Sequence, residues 1–228
     1  MRTSLIPKVT ELWLALPTIL VLLLLGHAIG AERSSVPLPG QPDQMWSRVD
    51  YDPKLTDPFF KSTEWSYPWW IIKHPDGHFE STRSEDESPV KDPPLLKHTA
   101  KCFSTAFLKE RHLIKFCKAR LLDVNMVDLF IEEDNAAFTE CLKVQIRNGM
   151  FTCHFYGLSD IPVLERFTST TKRQELTLDK KAYRKGDVIK GRVHFECVWE
   201  VTDPKNVNKY ARDPITIKVH GVFKTIVE

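Results

Sequence analysis

Several kinds of chemistry are missing from this sequence before any fold is considered. It contains no Gly-x-Ser-x-Gly elbow, no phosphate-cradling Gly-rich loop and no His-Glu-x-x-His pair, which removes the familiar signatures of serine hydrolases, nucleotide enzymes and zinc proteases. Its five cysteines include no Cys-x-x-Cys, so the spacing of a thioredoxin-like redox site or a zinc ribbon is absent as well. No Asn-x-Ser/Thr sequon occurs. Neither sign of charge is in excess: 32 Lys and Arg face 30 Asp and Glu over 228 residues, a formal charge of +2. A surface that neutralises many phosphates needs more, and nucleic acid is not an expected partner. Apolar periodicity of 3.6 residues is missing after residue 98, so helices are not expected there.

What is present is the composition of a folding chain, with 42% hydrophobic and 27% charged residues. One long uncharged apolar run stands at the start. Residues 12–25 read LWLALPTILVLLLL behind Arg2 and Lys8, and the small residues Ala28 and Gly30 follow. The run has the length of a signal-peptide core, and extension through Ile29 brings it to the roughly 20 residues of a membrane span. The alternatives are cleavage near Gly30 or retention as an anchor over residues 11–30. Either one exports the bulk of the chain, secreted or periplasmic, with membrane contact only through this segment.

The remainder divides by composition. Residues 1–30 are the signal peptide or anchor, and residues 31–44, with three prolines in ERSSVPLPGQPD, form an extended linker. Residues 45–97 are an aromatic-rich lead, and residues 98–228 a strand-rich body. In the lead, residues 67–73 read as a strand, His74-Pro75-Asp76-Gly77 as a turn and residues 78–81 as the returning strand, with Lys73 opposite His78 and with Trp70, Ile72 and Phe79 on one face. Residues 81–94, STRSEDESPVKDPP, read as an exposed acidic loop.

The body alternates clearly. Asn148-Gly149 signals a tight hairpin turn in which both central residues need positive φ, and a two-residue loop pairs Ile146 with Phe151, Val144 with Cys153 and Leu142 with Phe155 on one face. A second hairpin is expected around residues 108–111, with Phe103 opposite Phe116, Thr105 opposite Ile114, and Cys102 opposite Cys117 as a candidate disulfide suited to an oxidising compartment. Cys141 and Cys153 make a poorer pair. Cys197 is expected as a buried thiol, or as a partner for Cys153 across two sheets. Ile189, Gly191, Val193, Phe195, Cys197, Trp199 and Val201 occupy alternate positions, as do Ile215, Ile217, Val219, Gly221 and Phe223. The expected fold class is mainly β, an antiparallel two-sheet sandwich.

Leu176-Thr-Leu178-Asp179, Tyr183, Gly186-Asp187-Val-Ile189-Lys-Gly191 and the alternating strand through Phe195 resemble the opening two strands of immunoglobulin-like and arrestin-like sandwich modules. The resemblance covers about twenty residues (176–195) and implies a sandwich. It carries over no functional residue, because such modules serve many functions.

Among chemistry-bearing groups, Trp65, Tyr67, Trp69 and Trp70 are the candidate ligand-binding residues: a stacking surface for a sugar or an anchor for a protein, set against burial beneath the acidic loop. Cys102 with a histidine could form a thiol nucleophile pair, but a disulfide or buried thiol is the expectation. His74, Asp76 and His78 share one turn, and Asp50 and Asp52 offer further oxygens. Such residues are commonly solvated caps, and no metal or other cofactor is expected. Glu132, Glu133 and Asp134 read as a solvated turn rather than as glycosidase acids. The expected function is an exported, non-enzymatic module binding a protein or glycan of the cell envelope or secreted milieu. The alternative is an exported hydrolase whose active site is assembled from loops.

Overall fold

The computed structural model describes residues 45–83, 89–106, 111–134, 138–159, 167–201 and 213–228. The signal or anchor segment, the linker, the centre of the acidic loop, residues 108–110 of the second hairpin turn, Asn135 and the side chain of Val201 lie outside the described residues. Among these residues the strands in chain order are β1 (Ser47–Arg48), β2 (Asp50–Tyr51), β3 (Trp65–Ser66), β4 (Ile71–Lys73), β5 (Phe79–Ser81), β6 (Leu96–Lys97), β7 (Ala100–Ser104), β8 (His112–Ile114), β9 (Phe116–Asp123), β10 (Met126–Asp134), β11 (Phe138–Arg147), β12 (Met150–Ser159), β13 (Phe167–Leu178), β14 (Val188–Val201) and β15 (Ile215–Ile226), with a 3-10 turn at Pro58–Phe60. The chain is mainly β, as its alternation predicts.

The Asn-Gly hairpin forms in the expected register. Asn148 and Gly149 both adopt positive φ, 51° and 77°, which matches the turn twist to that of the strands. Ile146 then pairs with Phe151, Val144 with Cys153 and Leu142 with Phe155, and all six side chains are buried. Around this hairpin grows an antiparallel sheet of five strands in the order β1-β12-β11-β10-β9. The second large sheet has the order β2-β13-β14-β15-β7-β8, with β2 parallel to β13 and its other neighbours antiparallel. Leu129, Ile131, Leu142, Val144 and Phe151 of the first sheet and Leu176, Ile189, Val193, Phe195 and Phe223 of the second belong to one buried apolar cluster. Gly191 lies opposite Phe223, whose ring occupies the space a Cβ there would need. Crowding relief, not a bulge, is thus the role of this glycine.

The two sheets are joined by chain crossings at both margins. Residues 47–48 pair with β12, Val49 is buried, and residues 50–51 pair with β13. At the opposite margin β8 belongs to one sheet and β9 to the other, with a bend at Lys115 between them. Glu133, projecting inward from the end of β10, accepts the Lys115 N–H at 2.8 Å and the Lys115 ammonium at 2.9 Å. A sheet change of this kind leaves backbone groups without ladder partners, and side chains have to satisfy them.

The bend overturns the expected 102–117 register. Cys102 pairs with Ile114 and Phe103 with Leu113, three residues from expectation, because the strand that pairs with β7 ends at Ile114. Cys117 lies in the other sheet, opposite Ile131. The Cys102–Cys117 disulfide is not formed, and all five cysteines are free. Cys102, Cys117, Cys153 and Cys197 are buried in the shared cluster as small hydrophobes. Burial pushes every one of the thiols up, Cys197 to about 11 and Cys141 to about 12.

One polar side chain bridges the sheets from within. Gln174 of β13 is 7% exposed; its Oε1 accepts the Cys153 N–H of β12 at 3.0 Å, and its Nε2 donates to Met45 O at 2.6 Å and Ser47 Oγ at 3.0 Å. Gln174→Leu should strand the Cys153 amide in an apolar setting and lower stability by about 2 kcal/mol. Urea titration measures this, and hydrogen exchange should show the Cys153 amide losing protection before those of β11. For the cysteines, alkylation of unreduced protein in denaturant should label all five, while the native protein reacts slowly at each; a bridged Cys102–Cys117 peptide in the map would contradict the free thiols.

Candidate functional site

The lead is held to the body at its root. Asp57 accepts the Phe59 N–H at 2.9 Å and so caps the Pro58–Phe60 turn, which places Phe59 in a buried position. Lys224 of β15 donates to Phe60 O at 2.7 Å. Glu64 follows, its carbonyl accepting the His98 N–H at 2.9 Å and its carboxylate lying 3.4 Å from the Lys101 ammonium. β3 then pairs with β6, Trp65 opposite Lys97, and Trp65 remains 52% exposed.

Beyond this root the aromatic residues take positions different from those expected. Ile71 N–H bonds to Pro68 O at 3.0 Å, a four-residue turn with Trp69 and Trp70 at its centre. The two indoles therefore do not point to opposite faces of a strand. They meet edge to face, centroids 5.9 Å apart at 89°, and both are half-buried. The strand itself covers only β4, and β4 pairs with β5 as Ile71–Ser81, Ile72–Glu80 and Lys73–Phe79. This is one residue away from a Lys73–His78 pairing, and a one-residue slip exchanges faces. Ile71 is buried in place of Ile72, and Ile72 is exposed.

The cause is the loop. His74 N–H bonds to His78 O at 2.9 Å and Gly77 N–H to His74 O at 3.0 Å, while Gly77 takes φ +93°. Pro75-Asp76-Gly77 is thus a three-residue loop with a glycine bulge, not a two-residue turn. Extended backward, the same register brings Thr82 to Trp70, its N–H bonding Trp70 O at 2.9 Å, and places Arg83 over both indoles. The guanidinium carbon lies 3.7 Å from the Trp70 ring centroid and 5.2 Å from that of Trp69. Tyr67 packs on Phe79, centroids 4.8 Å apart. Arg83 is the contributor that sequence reading missed; the Pro-Asp-Gly loop rule, applied first, puts it opposite Trp69.

At the loop end of the same hairpin the two histidine rings stack, 4.1 Å apart and 5° from parallel. His74 Nε2 lies 2.8 Å from Glu80 Oε2, and His78 Nδ1 lies 2.5 Å from Asp76 Oδ1. Hydrogen bonds from the His78 backbone and ring hold the Asp76 carboxyl below its ordinary range. Asp52, by contrast, accepts the Lys54 N–H at 2.9 Å, and neither it nor Asp50 is grouped with these side chains.

The other expected groups are committed to structural partners. Glu132 pairs with Lys118 at 2.5 Å, Glu133 with Lys115, and Asp134 accepts from Thr139. Cys102 Sγ is fully buried and contacts Val222 O at 3.6 Å, with its thiol raised by desolvation, so it holds no thiolate. A buried carboxylate that sequence reading passed over is Glu140, which His112 contacts through Nε2 and whose ionisation burial disfavours. Ser104 also bonds Glu140, which makes the acid the centre of the group. An open hollow of about 360 Å³ is lined by Thr105, Pro214, Ile215, Thr216 and Lys218, with one ionisable group among them. Comparison with family models, with curated proteins and with solved structures finds no match to this chain.

Proposed function

We propose that this protein is an exported, non-enzymatic β-sandwich module, immunoglobulin-like in kind, that binds a partner outside the cytoplasm through its aromatic hairpin. The observation that carries the reading is the separation of the hairpin from the core. Trp65, Tyr67, Trp69 and Trp70 are neither in the shared buried cluster nor among the partly buried side chains packed on it. Large aromatics kept out of a core that is otherwise well filled favour a contact surface over a purely structural role.

The chemistry favours a protein partner over a glycan. Arg83 already covers the Trp70 ring, the face a sugar would stack against, whereas half-buried Trp beneath a stacked Arg is the composition of energetic centres in protein interfaces. The sandwich reading draws on the two large sheets with one common core. It also draws on the β13–β14 connection, where Tyr183 Oη donates to Asp179 Oδ1 at 2.7 Å and Asp179 accepts the Lys190 N–H at 3.0 Å. Export rests on residues 1–30 alone, since free cysteines lend an oxidising compartment no support.

Fractionation of the native host should place the protein outside the cytoplasm, with a mature N-terminus near Ala31 if the segment is cleaved; intact Met1 on a cytosolic protein would sink the export reading. A photo-crosslinking residue in place of Trp65 should capture one discrete protein adduct in the host, and Trp70→Ala or Arg83→Ala should abolish it. An adduct indifferent to both substitutions would point away from the hairpin. Thermal and urea unfolding of Trp69→Ala and Trp70→Ala should show losses well below the roughly 3–5 kcal/mol of a core aromatic truncation; a full loss of that size would return both residues to a packing role.

A further inference from the structure

The loop end of the β4–β5 hairpin contains a ligand set that the binding reading does not use. One ligand atom from each of His74, His78 and Glu80 lies within 4.8 Å of the other two. Three features make this more than a solvated turn. The three-residue Pro-Asp-Gly loop places His74 and His78 as the flanking pair across the hairpin, so backbone hydrogen bonds hold their approach before any ligand arrives. Their rings lie parallel with centroids 4.1 Å apart, so the two imidazoles are held side by side at the loop end before any ligand arrives. Finally, Asp76 accepts at 2.5 Å from His78 Nδ1. A carboxylate there keeps the proton on Nδ1 and leaves Nε2 as a lone-pair donor, the arrangement in which outer carboxylates orient metal-binding histidines.

We propose that His74, His78 and Glu80 bind a Zn²⁺ ion, with Asp76 as the positioning residue of His78. Two imidazoles and a carboxylate suit a borderline divalent ion and suit Ca²⁺ or Mg²⁺ poorly, since those demand oxygen-rich shells. Zn²⁺ bonds of about 2.0–2.2 Å separate tetrahedral ligands by roughly 3.4 Å, so side-chain rotation has to close part of the spacing. The ion replaces the proton shared between His74 Nε2 and Glu80 Oε2, and that proton leaves to solvent or to His74 Nδ1. His78 is exposed and His74 and Glu80 are half-buried, so the fourth position is open to water. Bound there, the ion ties β4 to β5 at the loop end of the hairpin, opposite the end that carries the Trp69–Trp70–Arg83 stack. The site is independent of the partner reading, because it follows from the hairpin geometry alone.

The test is titration of the full chain, purified with chelator, using Zn²⁺ by calorimetry and Co²⁺ by visible absorption. One equivalent should bind, the Co²⁺ form should show the intense d–d bands of tetrahedral coordination, and excess Mg²⁺ or Ca²⁺ should not displace it. His74→Ala, His78→Ala and Glu80→Gln should each remove the bands and the stoichiometric binding. Asp76→Asn, which touches only the outer carboxylate, should retain the site with affinity about 10–100-fold weaker. Circular dichroism of metal-free variants checks their folding, and Glu80→Gln, which preserves size, stands in should either alanine variant fail to fold. Absence of stoichiometric binding overturns the proposal, and so does binding of unchanged strength in both a histidine variant and Glu80→Gln.

Discussion

A sheet that ends must do something with its outermost backbone groups, and the two large sheets of this protein meet that constraint by passing chain between them at both margins. At one margin residues 47–51 move from β12 to β13 over buried Val49. The pairing of β1 with β12 spans two residues only, so the amide of Cys153 lies beyond its reach, and Gln174 reaches across from the opposite sheet to accept it. At the other margin Lys115 is the bend between β8 and β9, and Glu133 takes both its amide and its ammonium. Burying these polar groups is tolerable because each has its partner. The lead is attached to this frame through β1 and β2, which pair with β12 and β13, and through Lys224 and Lys101, which meet Phe60 O and Glu64.

The aromatic hairpin obeys a different and more local rule. Its geometry is set by a loop of three residues, in which Gly77 alone takes the left-handed conformation. From that loop follow the burial of Ile71 in place of Ile72, the facing of His74 and His78, and the placement of Arg83 over the indoles. A two-residue turn would have moved every side chain of β5 to the opposite face. The candidate chemistry at both ends of the hairpin is therefore a consequence of one turn type, with little help from the core.

These two regions show what was legible in the sequence. The Asn-Gly hairpin could be read residue by residue, because its turn demands two positive φ values and its six apolar side chains fit a single register. The 102–117 hairpin could not. Its alternation continues through the bend at Lys115 without a Gly or Pro to mark it, and the partner that satisfies the bend, Glu133, lies eighteen residues away in sequence. A change of sheet is a tertiary event, and local pattern carries no trace of it. The Cys102–Cys117 pairing failed for that reason and not through any property of the cysteines. In the lead, Tyr67 to Lys73 is rich in strand-forming residues, yet Pro68 opens a turn that takes Trp69 and Trp70 out of the strand.

The acids mark where chemical reading fails in the same way. Asp128, Glu133 and Glu140 are the buried carboxylates of the described residues, and adjacency in sequence says nothing about their use. Asp128 faces Arg147 at 2.7 Å and Lys143 at 3.2 Å across the outer surface of the first sheet, while Glu133 points inward and anchors the bend. Glu132 and Glu133, neighbours on a strand, go to opposite faces and never act on one substrate. His78, which leads into β5, and Glu80 within it, two residues apart, and Asp76 and His78, two apart across the bulged turn, are brought to a common side. Spacing of two on a hairpin is thus the pattern that gathers ligands here, and it is visible in the sequence only once the turn type has been assigned.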